Sequence, residues 1–235
     1  PYSVIATGCT TLPQRVGMPF SLITTQMTSA AAGRGGGTSY PPGINQILPG
    51  WGLYANAYAL FRNERKFRTR NRARRHGPPK SIVEPALIGA LQAAIEALQP
   101  AREAAAADLV DWTTVPALGK NFATPDDLRR GVEAYERFAR FFALYLRLSA
   151  AVMSASVKGA TSEEPISEEE LSDFDAAFSK IYSDAERSRR KDIERGRRII
   201  DDYEAVHPSL DADPVLSWLR VEIGGLSQRV RDLAP

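Results

Sequence analysis

Between Phe61 and His76 the chain places eight basic residues in fourteen positions, Arg62, Arg65, Lys66, Arg68, Arg70, Arg72, Arg74 and Arg75, against one acid, Glu64. Guanidinium groups grip phosphate through two parallel hydrogen bonds. So dense an array repels itself unless a polyanion or an acidic surface neutralises it. Aromatic rings lie close by at Trp51, Tyr54, Tyr58, Phe61 and Phe67, and rings of this kind stack on unpaired bases. The combination predicts nucleic-acid binding, with RNA or a single strand fitting best. The eight basic residues are the candidate phosphate contacts, and Tyr54, Tyr58, Phe61 and Phe67 the candidate stacking residues. An acidic protein or an anionic lipid surface is the competing partner, and a solvated face over core aromatics is the plain alternative.

Other chemistry finds few parts. The two histidines, His76 in the basic run and His207 before Pro208, have no serine or cysteine signature beside them. A single cysteine, Cys9, excludes an internal disulfide framework and, with two histidines, leaves little for a zinc site. The carboxylates Glu163, Glu164, Glu168, Glu169, Glu170, Asp173 and Asp175 could form an acid–base or metal cluster, yet they read more simply as linker solvation and helix-start charge. Gly33 to Gly37 lacks the lysine and the strand–helix frame of a phosphate loop. The expectation is therefore a non-enzymatic protein without cofactor or metal.

Charge is separated along the chain. Residues 1–80 carry eleven Lys and Arg against Glu64 alone, a net of +10, and residues 81–235 carry the remaining 19 basic and 27 acidic residues, a net of −8. Such asymmetry suits a polyanion partner, or copies meeting head to tail. A second basic cluster, Arg187, Arg189, Arg190, Lys191, Arg195, Arg197 and Arg198, is broken by Glu186, Asp192 and Glu194. Acid–base pairs three or four residues apart, such as Glu186 with Arg190 and Glu194 with Arg198, are what an exposed helix uses for itself. This cluster therefore reads as a solvated face rather than a second phosphate track.

The elements that must position these residues follow from periodicity and punctuation. Residues 1–50 are rich in Gly, Pro, Ser and Thr, which predicts an extended arm, and its scattered apolar residues (Val16, Met18, Phe20, Leu22, Ile23, Ile44, Ile47, Leu48) predict that the arm docks on a surface. Leu53, Tyr54, Ala57, Tyr58 and Phe61 recur at helical spacing, so residues 52 to about 75 read as a helix ended by Gly77-Pro78-Pro79. Ser81 with Glu84 predicts a capping box for a helix to about Leu98, and Pro100 the start of another reaching Trp112. Thr124-Pro125-Asp126-Asp127 is the clearest start signal, for a helix to about Val157. Its apolar residues from Phe138 to Met153 go most of the way round, predicting burial on several sides. After a linker at 158–165, Ser167 with Glu170 forms a second capping box for a helix over 168–206, and Asp213-Pro214 opens a last helix that Gly224-Gly225 interrupts.

The expected fold is all-α: an extended arm over 1–50, a basic aromatic helix over 51–80 and an α-helical core domain, a helical bundle, over 81–235. Nowhere does the sequence hold the ~18 uninterrupted apolar residues of a membrane span. The run Val4 to Cys9 resembles a bacterial lipoprotein processing site, but the charged start and apolar stretch that should precede it are missing, so it reads as an ordinary start. Expected partners are nucleic acid, RNA foremost, and neighbouring copies or other subunits met through the arm. The expected location is intracellular or within an assembled particle. In layout alone the chain resembles viral coat or nucleocapsid subunits and ribonucleoprotein components, which implies a structural assembly role. The alternative is an accessory or adaptor subunit, organellar or membrane-associated, whose basic helix grips an acidic partner.

Overall fold

Local capping chemistry sets the helix starts in the computed structural model, which describes residues 2–9, 14–26, 43–70, 82–103, 109–155, 165–200 and 207–233. Helices α1 (Trp51–Tyr54), α2 (Ala57–Arg70), α3 (Pro85–Glu103), α4 (Pro125–Ala155) and α5 (Glu168–Arg197) are followed by α6 (Pro214–Trp218), a π-helical turn at Leu219–Gly224, and α7 (Leu226–Arg231). The α4 start is a reciprocal box: the Thr124 hydroxyl donates to Asp127 Oδ2 at 2.7 Å and accepts from the Asp127 backbone N–H at 3.1 Å. At α5, Ser167 and Glu170 satisfy each other's backbone donors in the same way. Asp213 caps α6 by accepting from the N–H groups of Val215 and Leu216.

The molecule is mostly helical but not purely so, which corrects the all-α expectation. Strands β1 (Val4–Ile5), β2 (Leu22–Thr24), β3 (Asn45–Leu48), β4 (Val110–Asp111) and β5 (Asn121–Ala123) form one sheet in the order β1-β2-β3-β5-β4. It is mixed: β1 with β2 and β3 with β5 run parallel, while β2 with β3 and β4 with β5 run antiparallel. Three strands come from the segment expected to be an arm. Its apolar residues do dock, but on this chain: Met18, Phe20, Ile23, Ile47 and Leu48 are buried, each contributing on the order of 1.5–3 kcal/mol. Residues 27–42 of the arm lie outside the described residues.

Residues group into two units, 1–54 with 86–139 and 55–85 with 140–235. In the first, the sheet packs with the start of α4. Tyr135 donates its hydroxyl to Pro19 O at 2.7 Å, and burial pushes that hydroxyl's pKa well above the ordinary value. Gly131 meets Pro49 so closely that a Cβ there would lie 2.7 Å from Pro49 Cβ, and Gly50 turns the chain beneath Tyr135 at φ +65°, a conformation that favours glycine. The second unit is helical. Phe141, Phe174, Phe178 and Tyr182 form a chain of ring contacts between α4 and α5 at centroid distances of 5.5 to 6.4 Å.

Other helical expectations are corrected in detail. Helix α3 runs through Pro100 to Glu103 instead of stopping at Leu98, and Trp112 follows β4 in a turn rather than ending a helix. Ser81 lies outside the described residues, so the first capping box does too. Among the described residues helix α4 is covered along one side and not on several: Phe138, Phe141, Phe142 and Leu148 are buried, Arg140, Ala143 and Ala150 opposite them are exposed, and Met153 near the end is 71% exposed. By length and composition this helix alone, among the described residues, is long and apolar enough to cross a membrane, although its apolar window includes Arg140 and Arg147. Both arginines are ion-paired, with Asp173 and Glu170.

Candidate nucleic-acid interface

Helix α2 buries Ala57, Tyr58, Phe61 and Glu64 on one face, the i, i+4, i+7 pattern of a stripe packed on other helices. It lies against α5 and α6. Tyr58 carries most of the polar anchoring. Its backbone N–H donates to Ser188 Oγ at 3.0 Å and its hydroxyl to Asp213 Oδ2 at 2.8 Å. Arg189 Nε donates to the same carboxylate oxygen at 2.8 Å, Arg189 Nη2 to Pro208 O at 3.2 Å, and the guanidinium carbon lies 5.1 Å from the Tyr58 ring centroid. Tyr58, Arg189 and Asp213 are all at least 95% buried. Burial, then the hydrogen bond to Asp213, pushes the Tyr58 hydroxyl pKa far up. Asp213 thus serves as helix cap, buried counter-ion and phenol acceptor at once.

This geometry corrects part of the expected stacking set. Tyr58 and Phe61 are core residues, with the Phe61 ring fully covered, so neither presents a face to a base. Tyr54 belongs to the other unit, in α1, half-buried. Its hydroxyl pKa is pushed up to about 12, first by burial and then by the Asp127 carboxylate. Phe67 alone of the four is exposed, at 52%. The rings at 58 and 61 share the helical spacing of any core stripe, and nothing local in the sequence separates them from Phe67 except its place on the opposite side of the turn.

The cations divide as well. Lys66 and Arg70 are exposed, while Arg62 and Arg65 are half-buried. Arg62 Nε is buried without a hydrogen-bond partner among the described residues, and its guanidinium carbon lies 6.0 Å from the Tyr58 ring centroid. Arg68 is neutralised from within: Glu64, the lone acid of the run, is buried and accepts from Arg68 Nη2 at 2.5 Å, and Arg68 also lies 6.0 Å from the Trp218 ring centroid. Arg72, Arg74 and Arg75 lie outside the described residues. Along the helix, the half-buried Arg62 and the exposed Lys66 and Arg70 follow at i, i+4 and i+8 with no carboxylate against them among the described residues. Like charges at this spacing destabilise a helix by about 0.2–0.5 kcal/mol per pair, a cost that a bound polyanion removes.

The second basic cluster behaves differently. Arg187 pairs with Asp184 at 3.0 Å, Arg190 with Glu186 at 3.1 Å, and Arg189 is the buried partner of Asp213. The start of α2 sits at Ser188, through the Tyr58 contact. Its basic end runs toward Trp218, the last residue of α6, and Arg220 in the π-helical turn that follows donates to the Tyr182 hydroxyl. Lys191 to Arg198 follow Ser188 along α5, away from Tyr182, while Arg62 and Arg189 both lie over the Tyr58 ring. Four carboxylates of the α5 start are engaged: Glu168 and Asp175 face Arg231, Glu170 faces Arg147 and Asp173 faces Arg140, while Glu169 is exposed. Glu163 and Glu164 lie outside the described residues. The buried trio Tyr58, Arg189 and Asp213 escaped sequence reasoning; the only signal was Asp213 as a helix cap. Compared with protein-family models, curated proteins and solved structures, the chain matches none.

Proposed function

We propose that this protein is a non-enzymatic assembly subunit that binds nucleic acid, RNA foremost, through the outer face of α2, in the manner of a coat, nucleocapsid or ribonucleoprotein component. The observation that carries this reading is the stripe Arg62, Lys66 and Arg70, held at one-turn intervals without carboxylate partners among the described residues. Its backing is rigid, because Tyr58 fastens the helix to Ser188 and Asp213. The sequence continues the run with Arg72, Arg74 and Arg75.

The test is oligonucleotide binding as a function of salt. Three phosphate contacts on a single strand give a slope of log affinity against log salt of about −2. Lys66→Ala with Arg70→Ala should flatten that slope by about 1.4. A wild-type affinity indifferent to salt would remove the reading.

The alternative is an accessory or adaptor subunit that sets the same basic helix against an acidic partner. It is helped by Met153, 71% exposed near the end of α4, an apolar side chain open to a protein partner. Copurification separates the two readings: nuclease-sensitive nucleic acid supports the first, defined protein partners in its absence the second.

A further inference from the structure

We infer that the strand held by α2 is single-stranded and that Phe67 is the residue on which one of its bases stacks. The inference rests on the nucleic-acid reading above and narrows it. The face of α2 turned away from the core presents Asn63, Lys66, Phe67 and Arg70 at i, i+3, i+4 and i+7, all exposed, so one ring is set among cations on a single surface. Of the other phenylalanines, Phe20, Phe61, Phe122, Phe138, Phe141, Phe142 and Phe174 are each 1% exposed or less, and Phe178 is half-buried in the ring chain with Phe141, Phe174 and Tyr182. Phe67 is 52% exposed and has no ring neighbour among the described residues. The face buried in the core lies across the helix, at Tyr58, Phe61 and Glu64.

A duplex would meet this face with phosphates and base edges, since its base faces are already stacked on one another. Only an unpaired base can lay its π-face on an exposed ring, and that contact is worth a factor of about 5 to 100 in affinity per base. Lys66 and Arg70 lie before and after Phe67 on the same surface, placed to take the phosphates on either side of the stacked base. Asn63, one turn back, brings an amide with both donors and an acceptor to the edge of that base.

The experiment uses the full chain and two fluorescent probes, a uridine-rich single strand of roughly 16 nucleotides and a blunt duplex of the same length. The wild type should prefer the single strand. Phe67→Ala should weaken single-strand binding about 5- to 100-fold, leave duplex binding within about twofold, and leave the salt slope unchanged because no phosphate contact is lost. Phe67→Tyr should restore the affinity, and Phe67→Leu should not. Thermal unfolding of each variant checks that the exposed substitution leaves the fold intact. Equal binding of both probes, or a Phe67→Ala loss on both alike as for a wedge driven into a duplex, overturns this inference while the salt slope still supports nucleic-acid binding. Binding of neither probe overturns the functional reading and this inference with it.

Discussion

Two arginine-rich stretches, on α2 and on α5, look alike in composition and differ in what surrounds them. On α5, Arg187 and Arg190 each meet an acid one turn away, and Arg189 is buried against Asp213. On α2 only Arg68 is so matched, and Arg62, Lys66 and Arg70 share a face with no acid against it among the described residues. Basic content alone therefore does not mark a binding surface. What sets α2 apart is a stripe without acid partners among the described residues, on a helix whose opposite face is fastened down.

The contrast can be broken most forcefully at Asp213. Replacing it with alanine strands the buried Arg189 charge, frees the Tyr58 hydroxyl and uncaps α6, so stability should fall by about 3–5 kcal/mol in urea unfolding. A loss below about 1 kcal/mol would mean that α5's buried arginine is not the anchor described. Next in size is Lys66→Ala with Arg70→Ala, which should lower single-strand affinity by about tenfold or more at moderate salt, while Arg187→Ala with Arg190→Ala leaves it within about twofold. If both pairs weaken binding equally, the distinction between the stretches fails. In stability the order reverses in a small way: the α5 pair is exposed and should cost less than about 1 kcal/mol.

The smallest effect sharpens the α5 end. Ser167→Ala should cost about 1 kcal/mol through loss of the capping box. The Glu170 carboxyl is held below its ordinary pKa, first by the Ser167 backbone N–H and further by Arg147. Its contribution is therefore present above the unfolded value of about 4.3 and is lost as pH falls through the lowered folded value. Thermal unfolding of wild type and Glu170→Gln should converge as pH drops from about 6 to about 3. A gap that stays constant with pH would assign the effect to packing instead.

Most helix starts were legible in the sequence because a cap is a conversation among four neighbouring residues. Thr124-Pro125-Asp126-Asp127, Ser167 to Glu170 and Asp213-Pro214 all begin helices where their chemistry says, and Gly224 ends the π-helical turn where a Cβ would strike Phe178. The sheet was not legible. Its strands are two to four residues long, too short for alternation to register, and β3 pairs with β5 across more than seventy residues of chain. Pairing over that distance is decided by which apolar surfaces close together, and no local pattern records it.

The same division runs through the site. Residue types alone concentrated positive charge and rings between Trp51 and Arg75, and that density is a property of the chain whatever its fold. Tertiary packing then sorted them: Tyr58 and Phe61 into the core, Arg68 onto Glu64, and Lys66, Phe67 and Arg70 outward. The reason is that a helix has only one side to bury. Which side that is depends on Ser188 and Asp213, residues more than a hundred positions away, reaching the start of α2.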